Sequence, residues 1–191
     1  MTGSDACRLK LVIAVSGLPG SGKTTLAKLL AESLGLRYIS LGMIFREIAK
    51  EKGLSIEELS KLAERDASID YLIDGRAKEE ARKGCVVVDG HISAWVLKDL
   101  AHLRIVVTAP LSVRVNRIAS RDGKSVDEAM REVKLREDSE RRRYMKFYGI
   151  NIDDLSKADL VINTEKFGIN ETLEIALKAV EVVLKSLKND V

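Results

Sequence analysis

The residues with the clearest chemistry run from Gly17 to Thr25 and read GLPGSGKTT. Gly17, Leu18, Pro19, Gly20, Ser21, Gly22, Lys23 and Thr24 fit the spacing GxxxxGK[ST], and Thr25 follows. Glycines at these positions let the backbone turn several N–H groups towards one anion, and a helix starting near Lys23 adds the positive end of its dipole. Lys23 is placed to reach the β- and γ-phosphates of a nucleotide, and the Thr24 hydroxyl to ligate Mg²⁺. The apolar run LVIAVS before the loop and LAKLLAESLG after it supply the strand and helix this cradle requires. That context weighs against the competing reading, a glycine-rich turn without a ligand. The loop says that a phosphate chain binds. It does not say what receives a phosphate.

Asp89 closes the run VVVD. A carboxylate at a strand end beside such a loop holds Mg²⁺ through water; the alternative is a turn residue before Gly90. A GTPase is excluded, because neither DxxG nor NKxD stands in a suitable place. Arginines gather further on, in RVNRIASRD and LREDSERRRYMKFYG. Arg117 and Arg121 share one helix face, as do Arg136 and Arg143. No apolar residue lies between Arg136 and Arg143, so this segment is expected to bury nothing and to be free to close over a negative charge. Fixed guanidinium groups suit phosphoryl transfer, in which charge spreads over the moving oxygens. The plainer alternative is a solvated helix with ion pairs such as Glu132–Arg136 and Glu137–Arg141. Ser139, not an acid, lies one turn before Arg143, which favours function there.

Ser40, Gly42 and Arg46 in ISLGMIFREIA follow a strand-like run, with Arg46 one turn into a helix and able to grip an acceptor's phosphate. Arg65, Arg76 and Arg82 are further candidates. Trp95, the single tryptophan, is read as core rather than as a base-stacking residue.

Five strand-like runs must position these residues: 9–16, 37–40, 85–89, 103–109 and 158–164, with helical patterns between them. Alternation of this kind predicts an α/β fold with a parallel sheet. Ser55 with Glu58, and Ser125 with Glu128, have capping-box spacing, and Gly35, Gly53, Gly84 and Gly149 sit where helices should stop. Leu173, Leu177, Val180, Leu184 and Leu187 give the last helix one core face. Residues 41–84 and 111–157 are too long for simple crossovers. They are expected as helical insertions at the carboxyl ends of the strands, where ligands of open sheets bind.

The 191 residues, 46% hydrophobic and 32% charged, predict a single domain with a sizeable core. A net charge of +3 gives no general pull on nucleic acid, and the cluster Arg141–Arg143 is short, lies among acids and lacks interleaved aromatics, so no nucleic-acid partner is expected. No apolar run approaches the ~20 residues of a membrane span, and MTGSDACRLK lacks a signal-peptide layout. Cys7 and Cys85 form no CxxC pair and, with only His91 and His102 available, no plausible zinc set. A reduced, cytoplasmic protein is therefore expected. The absence of glutamine and the abundance of Lys, Arg and Glu lean towards a thermophile. Oligomeric state is not legible.

Taken together, the phosphate loop, ISLGMIFRE, VVVDG, the arginine helix and DLVINT resemble a nucleoside monophosphate kinase of the P-loop class. More narrowly, DGHISAW, TAPLSVRVNRIASRDGKS and REDSERRRYMKFYGINIDDLS resemble the short archaeal cytidylate kinases, over residues 9 to about 187. The resemblance implies a P-loop NTPase fold, a three-layer sandwich around a five-stranded parallel sheet in the order 2-3-1-4-5. In it, 41–84 forms the monophosphate-binding insertion and 111–157 the lid region. It implies transfer of the γ-phosphate of ATP, with Mg²⁺, to CMP and dCMP. By matching motif, Gly17 to Thr25 bind ATP, Ser40 and Arg46 belong to the acceptor side, and Arg117, Arg121, Arg136 and Arg143 belong to the lid. Two positions depart from the related pattern. Met43 stands where Asp is common, leaving more of the Mg²⁺ task to Asp89. His91 stands where an Arg contacts the monophosphate, and can donate one hydrogen bond but not a bidentate pair. The acceptor grip then falls to Arg46 and Arg76, with Ser93, Asp70, Asp74 and Arg76 as candidate base readers. Rival readings are a kinase for AMP, UMP or shikimate and, in another class, a non-catalytic ATP-binding interaction module.

Overall fold

A computed structural model describes residues 3–189. Helix α1 (Gly3–Arg8) precedes β1 (Val12–Ser16) and α2 (Lys23–Leu34), followed by β2 (Arg37–Ser40). The first long interval holds α3 (Leu41–Glu51), α4 (Ile56–Ala63) and α5 (Ser68–Lys83), leading to β3 (Val86–Asp89). After α6 (Ser93–Val96) and β4 (Leu103–Thr108), the second interval holds α7 (Leu111–Asp122), α8 (Val126–Tyr148) and a 3₁₀ turn, Leu155–Lys157. Strand β5 (Leu160–Asn163) and α9 (Ile169–Asn189) complete the order.

All neighbouring strands pair in parallel, in the order β2-β3-β1-β4-β5, as expected. Central strands β1 and β3 are buried along their whole length, which is why they read as unbroken apolar runs rather than alternating ones. The two-residue period of a strand then divides their side chains between two cores. Ile13, Val15, Val87, Ile105 and Val107 face α2 and α9. Val12, Ala14, Val86 and Val88 face α3, α4 and α5. A third, separate cluster of Val115, Ile118, Ala119, Ala129 and Val133 joins α7 to α8 as a hairpin with its own small core.

Both capping boxes form: Ser55 with Glu58 starts α4, and Ser125 with Glu128 starts α8. The glycines expected to end helices do so, and Leu173, Val180 and Leu184 turn α9 into the core. Strand β1 is shorter than predicted at its start. Lys10 takes φ 51, and the N–H groups of Lys10 and Leu11 donate to Cys7 and Ala6 carbonyls, so residues 9–11 close α1 instead of extending the sheet.

The expectation of two reduced cysteines is overturned. Cys7 and Cys85 form a disulfide across a sequence separation of 78, with Cα atoms 4.6 Å apart. Spacing could not reveal it, because the link depends on α1 lying against the first residue before β3. No helix among the described residues is long and apolar enough to cross a membrane.

Candidate active site

Register brings the carboxyl ends of three strands to one place. Ser40 of β2 and Val15 of β1 both stand opposite Asp89 of β3, and the phosphate loop leaves β1 directly after Ser16. Gly20 and Gly22 take φ 78 and 93, a region only glycine enters freely. Gly22 is the N-cap of α2, so Lys23 opens that helix as expected. The loop is braced from behind: the Thr164 hydroxyl donates to Ser21 C=O at 2.8 Å.

Thr24 Oγ1 donates to Asp89 Oδ2 at 2.7 Å, and Tyr38 OH reaches the same oxygen at 3.0 Å. Asp89 is buried and its other oxygen, Oδ1, has no partner. Asp89 is therefore more than a turn residue. An unpartnered carboxylate oxygen beside a helix-opening hydroxyl suits a hard cation with oxygen ligands. No cluster of three or more His, Cys, Asp or Glu occurs among the described residues, so phosphate and water oxygens would complete such a shell. Burial, together with Asp89, pushes the Tyr38 hydroxyl up to about 12, keeping it a proton donor. Burial also pushes Lys23 down to about 8; Asp89 pulls it back and Arg136 and Arg121 push it further down.

The α7–α8 hairpin closes over the loop, and its polar face is not what the sequence suggested. Glu137, Ser139, Glu140 and Arg143 are all buried. The segment lacking apolar residues thus buries charge, and buried charge needs partners. Those come from outside the helix. Glu137 pairs with Arg114 of α7. Glu140 lies against His91, with Nδ1 2.6 Å from Oε2 although the ring N–H is not aligned on that oxygen, and it also accepts from Arg136 Nε at 3.0 Å. Arg143 meets Asp70 of α5 at 3.5 Å. The ion pairs expected along the helix, Glu132–Arg136 and Glu137–Arg141, are replaced by Lys124–Glu132, Arg114–Glu137 and Arg141–Asp153. Likewise, Ser139 does not leave Arg143 without an acid; Asp70 supplies it across the cleft.

The remaining candidates separate by position. Arg117 Nη1 and Nη2 donate to Thr164, and Nη1 to Gly20 C=O, tying α7 to the back of the phosphate loop. Arg121 is exposed and paired with Asp122. Arg136 is half exposed, with Nη2 3.4 Å from His91 Nε2. Burial pushes His91 down to about 4, so the imidazole is neutral at physiological pH and is turned to the α8 face rather than held as a cation for an acceptor. Ser40 caps α3 through Met43 N–H. Arg46 is exposed near Gly42, Met43 is exposed, and Arg76 is half-buried; neither arginine makes an ion pair among the described residues. Ser93 is fully buried with an unpartnered hydroxyl. Asp74 is taken by Tyr148 OH, while Asp70 Oδ2 and Arg143 Nε and Nη1 have no aligned partner. Trp95, expected in the core, is half-buried and belongs to none of the apolar clusters; it lines a cavity of about 140 Å³ beside the phosphate loop with Leu18, Val106 and Ile152.

Sequence reasoning missed Arg114, Glu137, Glu140, Tyr38 and Thr164. Arg114 carried a signal, since it falls between Leu111 and Ile118 on the apolar stripe of α7, where an unpaired charge would be costly.

Residues 12–166 match the sequence model of the Cytidylate kinase-like family. The cytidylate kinase of Staphylothermus marinus is 53% identical over 175 residues, covering 92% of this chain and 99% of that protein. The cytidylate kinase of Archaeoglobus fulgidus is 48% identical, over 93% and 98% of the two chains. Among solved structures, the shikimate kinase of Bacteroides thetaiotaomicron superposes with a TM-score of 0.60 at 19% identity, over 90% and 98% of the chains. An uncharacterised protein from Eubacterium ventriosum reaches 0.70 at 18% identity. These last two likenesses speak for the fold, whereas the family match and the near-complete coverage of both relatives establish that the chain belongs to the cytidylate kinase-like family.

Proposed function

We propose that this chain transfers the γ-phosphate of ATP to CMP, and to dCMP, giving ADP and the diphosphate. The observation that carries the reading is the buried pair of Asp70 and Arg143, which face each other at 3.5 Å without an aligned hydrogen bond, so both keep hydrogen-bonding capacity for a base seated between them. Cytosine offers an amino donor next to ring-nitrogen and carbonyl acceptors. Asp70 Oδ2 can accept the former and Arg143 Nε and Nη1 can donate to the latter. Uracil would turn a carbonyl oxygen towards the carboxylate, a repulsion that works against UMP.

The loop from Gly17 to Thr25 binds the ATP phosphates with backbone N–H groups, and Lys23 follows the charge that moves with the γ-phosphoryl group. The charges of Arg136 and Arg121 are both felt at Lys23, and the two guanidinium groups would stabilise the transferring oxygens. Arg46 and Arg76, both without ion pairs among the described residues, grip the acceptor phosphate as it enters between the sheet and the 41–84 insertion. Thr24 and Asp89 would hold Mg²⁺, which when bound neutralises phosphate charge and orients the chain for in-line attack. The acceptor is a phosphate, already an anion at neutral pH, so no strong general base is required. Seating of the 111–157 lid excludes water, which would otherwise compete as acceptor.

The test is an ADP-release assay with ATP–Mg²⁺ and CMP, dCMP, UMP, AMP, GMP or shikimate, with Lys23→Ala as control. Turnover with CMP and dCMP above the others is expected. Turnover with AMP or shikimate instead would move the acceptor and leave the phosphate loop's role standing. Tight ATP binding with no turnover would replace transfer by a binding role.

A further inference from the structure

The α7–α8 hairpin meets the phosphate loop at a side chain that the transfer scheme above does not use. Arg114 is only 5% exposed, and its guanidinium reaches three segments. Nε donates to Ala109 C=O at 3.0 Å, Nη1 donates to Pro19 C=O at 3.1 Å, and Nη1 also donates to the carboxylate of Glu137 on α8. The backbones touch as well: a Cβ on Gly20 would stand 2.5 Å from Arg114 C=O.

A role in packing alone would not need this chemistry, since well-packed apolar residues of similar volume often replace a buried ion pair with no loss of stability. What an apolar pair cannot do is orient a peptide. No cis peptide occurs among the described residues, so the Pro19–Gly20 unit is planar and trans, with its C=O and N–H pointing in opposite directions. Holding the Pro19 carbonyl on Arg114 therefore turns the Gly20 N–H away from α7, where it can serve an anion.

We propose that Arg114 is a positioning residue of the transfer reaction: through Pro19 it holds the phosphate loop in its anion-binding shape, and through Glu137 it makes that shape depend on α8 being seated. Lifting α8 removes the one acidic partner that this buried guanidinium has among the described residues, so loop order and lid closure form one event. The inference rests on the transfer reading and adds the residue that joins its two halves. Lysine cannot substitute, because a point charge satisfies Glu137 without the fork that also reaches Pro19 and Ala109.

The experiment compares the parent chain with Arg114→Lys, Glu137→Gln and the double variant Arg114→Met/Glu137→Met. It measures melting temperature, ADP affinity by calorimetry, and kcat and KM for ATP with CMP. The double variant should melt a few degrees below the parent, because the Pro19 and Ala109 carbonyls lose their donor, yet lose about ten- to a hundredfold in kcat/KM for ATP and bind ADP more weakly, the range of a lost charged hydrogen bond. Arg114→Lys and Glu137→Gln should move the same way by less. Parent-like ADP affinity and kcat/KM in the double variant would overturn the inference. If the double variant fails to fold, the same parent-like result in Arg114→Lys overturns it. A parent chain inactive on CMP would sink the transfer reading, while the ADP affinities would still decide the role of Arg114.

Discussion

Lys23 gives the most direct test of the site's electrostatics. Burial pushes its ammonium down to about 8, with Arg136 and Arg121 adding to the fall and Asp89 opposing it. Nucleotide phosphates favour the charged form, so binding draws the pKa back up. At pH 7.5 most of the free protein is already protonated there, whereas at pH 9 about nine in ten molecules must take up a proton to bind. The affinity for ADP should therefore fall about eightfold between pH 7.5 and 9, a range in which the nucleotide's own phosphates stay ionised. Calorimetry at pH 9 in two buffers of different ionisation enthalpy reads the uptake directly, and close to one proton per site is expected. Lys23→Arg, which keeps its charge throughout, should flatten the profile even if it binds more weakly. A flat affinity in the unaltered protein, with no buffer-dependent heat, would refute the argument that burial and the two arginines depress this lysine.

Three further outcomes are expected. The disulfide closes a separation of 78 residues, and chain entropy puts its contribution at about 4–5 kcal/mol; reductant or Cys7→Ser should lower the melting temperature by about 10–15 °C, and a shift under about 3 °C would mean that α1 packing alone holds this end. Burial raises Asp70 to about 6 despite Arg143, so the folded state keeps a proton that the unfolded chain has lost; stability should decline as pH rises from about 4 to 6, and Asp70→Asn should remove that slope in denaturant titrations and weaken the preference for CMP over UMP. Gly20→Ala places a Cβ 2.5 Å from the Arg114 carbonyl at a φ of 78, and should cost more than tenfold in ATP affinity, read by the same calorimetry.

The sheet was legible because its signals are local. Apolar runs of strand length, two capping boxes and terminal glycines each lie within a few residues of what they specify. The phosphate loop was legible for the same reason. Asp89 could be found because it ends a strand, but its three hydroxyl neighbours come from two other elements, Thr24 from α2 and Tyr38 and Ser40 from β2. The misreading of α8 has a physical cause. Hydrophobic periodicity registers burial only when the buried residues are apolar, and here the buried face carries Glu137, Glu140 and Arg143, made tolerable by Arg114, His91 and Asp70 some 23 to 73 positions away. Long-range pairing of charge leaves no periodic trace. The disulfide is hidden likewise, since it joins segments that meet only once the sheet is built.

The separate apolar cluster between α7 and α8 has a thermodynamic consequence. Val115, Ile118, Ala119, Ala129 and Val133 pack on one another and not on the sheet, so a hairpin that swings as a unit carries its oily contacts with it. What it uncovers is the ionic face of α8. Exposing apolar area raises heat capacity and exposing polar area lowers it. Opening should therefore proceed with a small heat-capacity change of the sign opposite to unfolding. If that motion limits turnover, the logarithm of the rate should stay linear in reciprocal temperature up to the onset of melting, where a lid seated on hydrophobic contacts would bend the plot.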